Sequence, residues 1–169
     1  MEDKVTLFGN VAHNIAVEVE ELLLNVEGFS PDPIAEITEL AVNDLAVLEQ
    51  WIKNNLIHAI PRPLEALAKF GMAGLQNALD GQTHVSGLAN KITDLYARKN
   101  RDYGNSFDKS MDKFGLVVAA IRIGDKVNRL QSLVAKRGEA EVKDESLADT
   151  FMDLACYSIM TMLWLHDKK

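Results

Sequence analysis

Two clusters in the C-terminal half hold the side chains best suited to chemistry. The first is RKNRDYGNSFDK, residues 98–109, which sets Arg98, Lys99, Arg101 and Lys109 around a Tyr-Gly step and an Asn-Ser pair, with Lys113 just beyond. Such cations suit phosphate oxygens; Tyr103 offers a flat face to a base, and Asn105 and Ser106 both donate and accept hydrogen bonds. The second is DESLADTFMDL, residues 144–154, where Glu145, Asp149 and Asp153 recur every four residues. On a helix that spacing lines three carboxylates along one side, where like charges repel. Glu145 fits a first turn, whose dipole favours an anion. Asp153 lies deeper, and its side continues into Cys156, Met160 and Leu163. A carboxylate that leads into core needs a cationic side chain or a divalent cation beside it.

Between the two clusters runs IRIGDKVNRL, residues 121–130, with Arg122, Asp125 and Arg129 spaced by three and four and so sharing a face. One reading is a solvated face carrying an Asp125–Arg129 pair worth about 0.2–0.5 kcal/mol. Another pairs Arg122 and Arg129 with the acidic strip of the last helix. A third lets cations and carboxylates converge on a metal–phosphate ligand held between helices.

These groups need elements to hold them, and the apolar spacing supplies helices. Val5, Phe8, Ala12, Ile15, Val19, Leu22 and Val26 step by three and four, with Gly28 as a stop. SPDP at 30–33 opens a second helix carrying Ile34, Ile37, Ala41, Leu45, Leu48 and Ile52. Pro61 and Pro63 end it and start a shorter helix with Leu64, Leu67 and Ala68. Gly71, Gly74 and Gly81 then predict a junction over 71–84, dividing an acidic helical region, 1–82, from a second helical region, 83–169. Ser86 is a candidate N-cap for a helix bearing Leu88, Ala89, Ile92, Leu95 and Tyr96, and Gly104 with Asn105 should turn the chain. Leu116, Ala120, Ile123, Val127, Leu130 and Val134 mark a further stripe, and a last helix spans about 145–165. No stretch alternates with period two. The expectation is an all-α bundle of about five to six helices.

The totals agree. The chain has 169 residues and 47% hydrophobic composition, enough for one core. A net charge of −7 disfavours duplex DNA as partner, yet residues 1–82 hold 4 Lys+Arg against 13 Asp+Glu, and residues 83–169 hold 14 against 12. The lone Cys156 permits no internal disulfide and points to a reducing compartment, the cytoplasm. No basic start precedes an apolar run, and the apolar stretch at 154–165 is too short to span a bilayer, so no membrane role is expected. His13, His58, His84 and His166 lack metal-ligand spacing, and Cys156 reads as a small core residue.

The blocks KNRDYGNSF, IRIGDKVNRLQSL and VKDESLADTFMDLACYSIM, in that order, resemble a family common in bacteriophage genomes, the nucleotide modification associated domain, type 1, over about residues 86–166. That resemblance implies an all-helical domain linked to nucleotide metabolism, acting in the host cytoplasm if phage-encoded. More distantly, ESLAD at 145–149 is similar to the second acidic motif of the all-α nucleoside triphosphate pyrophosphatases of the MazG and dimeric dUTPase type, with Ser146 where a glutamate is expected. Glu18 with Glu21, or Glu36 with Glu39, have the spacing of the first motif. The likeness implies Mg²⁺ on Glu145, Asp149 and Asp153, with Asp125 and Asp149 as the catalytic carboxylates, and water attacking the α-phosphate to release a monophosphate and pyrophosphate. Arg122, Lys126 and Arg129 would offset the developing charge, Lys99, Arg101 and Lys109 would meet phosphates, and Tyr103 and Asn105 would address base or sugar. It also implies a homo-oligomer. Two alternatives stand beside hydrolysis: capture of a nucleotide or nucleotide-derived small molecule without cleavage, and a structural role in which the first two helices build an oligomer and the acidic strip only pairs with arginines.

Overall fold

The structure, a computed structural model, describes residues 3–25, 32–79, 84–136 and 146–168. Every element among them is an α-helix: α1 (Lys4–Asn25), α2 (Pro33–Lys53), α3 (Pro61–Ala78), α4 (Val85–Tyr103), α5 (Ser106–Phe114), α6 (Val117–Ala135) and α7 (Leu147–Asp167). The all-α expectation holds, and the described helices number seven because the stretch after the Gly104–Asn105 turn winds into the short α5.

Local chemistry sets the starts. Asp32 caps α2 by accepting from the Ala35 N–H at 3.0 Å, and Pro33 fills the first position, where a missing N–H costs nothing. α2 ends at Lys53, before the prolines; Asn55 takes a left-handed φ of 57° and α3 opens at Pro61. α4 begins one residue ahead of the expected Ser86 cap. Ser86 sits inside its first turn and its N–H donates to Glu20 Oε1 of α1 at 3.0 Å, so a neighbouring helix supplies the acceptor. That bond holds the Glu20 carboxyl below the usual range. Gly28 and the start of SPDP lie outside the described residues.

α3 packs against α7 and α2, α1 against α4, and α6 between α2 and α7. One continuous core results, with Phe8, Leu48, Leu64, Met72, Ile92, Ile123, Leu130, Phe151 and Ile159 fully buried. Gly71 and Gly74, expected to weaken the chain, instead lie inside α3 and let it approach α7. A Cβ at Gly71 would come within 2.6 Å of the Ala155 backbone nitrogen, and one at Gly74 within 2.2 Å of the Phe151 ring. The polar residues buried in α7 keep their hydroxyls on its own backbone: Thr150 donates to Ser146 O, Ser158 to Leu154 O and Thr161 to Tyr157 O, at 2.9, 2.8 and 2.7 Å. These three hydroxyls therefore sit in the core with no partner needed from another helix.

Candidate functional site

A cavity of about 290 Å³ opens where α4, the Gly104–Asn105 turn, the start of α5 and the middle of α7 meet. Its apolar side includes Leu95, Phe107 and Met160; its polar side includes Lys99, Asn100, Asn105 and Asp153. Helical spacing explains the convergence. Tyr96, Asn100 and Tyr103 stand four and three residues apart on α4, and Asp153, Tyr157 and Met160 do the same on α7. Gly104 and Asn105 both take left-handed φ near 58°, which turns the chain sharply enough to bring Ser106 and Phe107 back to the same opening. The Asn105 side chain makes no cap, so the leading N–H groups of α5 have no side-chain acceptor from it.

Asp153 is the charged centre. Its Oδ2 lies 2.9 Å from Lys126 Nζ of α6, and its Oδ1 lies 3.3 Å from Lys99 Nζ of α4. The partly buried carboxylate therefore finds its partners in two lysines from two helices, and not in Arg122, which is exposed on α6. Asp149 does different work. It closes a capping box, its Oδ2 accepting from Ser146 N–H at 3.1 Å and Ser146 Oγ at 2.8 Å, while Ser146 Oγ accepts from the Asp149 N–H. Glu145 lies outside the described residues. Among the described residues no group of three or more His, Cys, Asp or Glu side chains gathers as a metal site would require.

Of the side chains expected to meet a nucleotide, Lys99, Tyr103 and Asn105 line the cavity. Tyr103 is 68% exposed, leaving its ring open to a stacking partner. Lys109 lies near the turn, its Nζ 3.8 Å from where a Cβ at Gly104 would stand. Lys126 reaches the site only through Asp153. Arg101, Arg122 and Asp125 are exposed and Arg129 is half-buried; none of the four lines the cavity. Asn100, Tyr96 and Tyr157 do line it and are not among the expected site residues, Tyr96 being expected only as part of an apolar stripe. The signal was present: each lies one helical turn from a residue that is among them, Asn100 from Tyr103, Tyr96 from Lys99 and Tyr157 from Asp153.

The walls are braced from behind. Tyr96 stacks on Phe8 of α1 with ring centroids 4.2 Å apart. Burial, then the charge of Asp108, pushes its phenol up. Phe107 packs against the Tyr157 ring at 5.7 Å. Lys4 of α1 pairs with the buried Asp108 of α5 and with Asp167 of α7 at 2.9 Å. Trp164 Nε1 donates to Asp112 at 2.8 Å, and Lys168 pairs with the same carboxylate, drawing it below its usual range. Cys156 lines the cavity, and burial and then the Asp153 charge push its thiol up to about 12, which leaves little thiolate at neutral pH.

Residues 99–165 match the model of a family described as nucleotide modification associated domain 1. The resemblance read over 86–166 holds across that span, which begins at Lys99 and contains Tyr103, Asn105 and Asp153. No curated protein and no solved structure matches the chain. No described helix is long and apolar enough to cross a membrane.

Proposed function

We propose that the cavity between α4, α5 and α7 binds a nucleotide or a nucleotide-derived small molecule, and that binding without cleavage is its function. The observation that carries this is positional: the cavity is built almost wholly within the segment that matches a nucleotide-associated family, at the turn where Tyr103, Asn105 and Lys99 meet. The parts suit the ligand. Tyr103 and Tyr157 offer ring faces to a base, Asn100, Asn105 and Ser106 offer hydrogen bonds to base edge or sugar, and Lys99 offers a cation to phosphate.

Capture is favoured over hydrolysis by what the carboxylates are doing. A magnesium site on Asp149 and Asp153 would have to compete with the Ser146 cap and with two lysines. Titration calorimetry with a panel of ribo- and deoxynucleotides, run in EDTA and again in Mg²⁺, with mass spectrometry of the mixture afterwards, tests the proposal. Binding that survives EDTA and leaves the nucleotide intact supports capture. Product formed only in Mg²⁺ overturns it in favour of a pyrophosphohydrolase.

A further inference from the structure

Among the described residues that line the cavity, only Lys99 and Asp153 are charged, and they lie 3.3 Å apart. Lys126 sits on the second Asp153 oxygen at 2.9 Å from the α6 side, so the carboxylate is held against the cavity from behind. The one acidic residue buried in α5, Asp108, is turned away to Lys4. Arg101, Lys109 and Lys113 are exposed and are not part of the wall. The volume, about 290 Å³, lies at the bottom of the range of about 300–1,000 Å³ usual for small-molecule sites. A base and its sugar occupy most of such a space.

We infer that the site takes a nucleoside bearing no more than one phosphate, and that Asp153 is the residue that turns longer phosphate chains away. The inference rests on the reading of the cavity as a nucleotide site. A single phosphate replaces Asp153 as the partner of Lys99, while Lys126 holds Asp153 in place from its Oδ2 side and offsets its charge only in part. Each further phosphate adds negative charge near a carboxylate held by Lys126, in a space partly shielded from water, with no second lysine among the described wall residues to meet it. Recognition of this kind works by repulsion as much as by attraction.

The test is calorimetry in EDTA at pH 7.5 with the common nucleosides, their monophosphates and their triphosphates, on the wild-type chain, Asp153→Asn and Lys99→Ala, each first checked for an intact fold by circular dichroism. In the wild type, the best nucleoside or monophosphate should bind about tenfold or more tightly than its triphosphate, the scale of a like charge held close in an interface. Asp153→Asn should narrow that gap, chiefly by improving the triphosphate. Lys99→Ala should remove any advantage of the monophosphate over the nucleoside. Affinity that rises with each phosphate in the wild type overturns the inference and leaves nucleotide binding standing, and this arm decides even if a variant fails to fold. An unchanged gap in a folded Asp153→Asn removes the role assigned to Asp153. Failure of every compound to bind overturns the nucleotide reading itself.

Discussion

Lys126 and Asp153 form a 2.9 Å ion pair in which each side chain is 18% exposed. The pair joins α6 to α7 beside the cavity, at a depth where solvent screens it only in part. Lys126→Met keeps the aliphatic stem and removes the charge, leaving Asp153 with Lys99 alone. The expected loss is about 1–2 kcal/mol, between the values for exposed and for buried pairs. Urea denaturation of the two proteins measures it, and an unchanged midpoint would mean the pair holds nothing together.

Gly71→Ala and Gly74→Ala should each destabilise by about 1–3 kcal/mol, against a helix-propensity gain of about 1 kcal/mol for the same change on an open helix face. A Cβ at either position meets α7 at well under van der Waals distance, in one case at backbone. Thermal denaturation decides: a rise in Tm for either variant would show that α3 and α7 stand further apart than described.

Lys4→Met should cost about 2–3 kcal/mol at neutral pH, because it strands the Asp108 carboxylate, which is 7% exposed. Burial alone would lower the Lys4 pKa, but its bonds to Asp108 and Asp167 outweigh that and raise it above 10.5. A raised cationic pKa adds stability that is complete below the unfolded value and fades as pH climbs through the folded one. The deficit of the variant should therefore hold steady to about pH 10 and shrink only beyond 10.5. Denaturant midpoints across pH 7–11.5 follow it.

Cys156 should resist alkylation by iodoacetamide at pH 8 in the folded protein and react promptly in denaturant, since its thiol is held at about 12 against an ordinary 9.0. The unfolded chain releases that proton earlier, so this group lowers stability as pH rises from 9.0 towards 12 and has no effect below. Fast labelling without denaturant would place the thiol at the surface.

Asp149→Ala breaks the capping box, so Tm should fall by the equivalent of about 1 kcal/mol, while nucleotide affinity stays within about twofold. Calorimetry beside thermal melts separates the two effects. A variant that melts like the wild type but has lost Mg²⁺-dependent turnover would return Asp149 to a catalytic role.

Much of the fold was legible because burial follows helical period. Phe8, Ala12, Ile15 and Val19 are buried as their spacing predicts, as are Ala41, Leu45 and Leu48. In α6 the stripe shifts by one residue in places, with Ala119 and Leu133 buried where Ala120 and Val134 were expected, because that helix is wedged between α2 and α7 and must serve both. α5 was missed although Phe107, Met111 and Phe114 stand at helical spacing: its nine residues between Gly104 and Gly115 are too short to hold a helix alone, and packing fixes it instead. The glycines of α3 were read as breaks because a sequence shows what glycine permits, not what stands opposite it. At the site, Lys99, Tyr103, Asn105 and Asp153 were visible as types. That two lysines from separate helices would flank Asp153 was not, since nothing in local spacing encodes which helix lies alongside.

The Phe8–Tyr96 stack has a bearing on how this protein is cut for study. Tyr96 is a wall of the cavity, and what stands behind it is a ring from α1, 88 residues away and outside the matched span. A fragment trimmed to the family segment would begin at Lys99 and leave both rings behind, so its pocket would open straight through to water. Ligand screens run on such a fragment would then report the loss of a rear panel and not the absence of a binding activity.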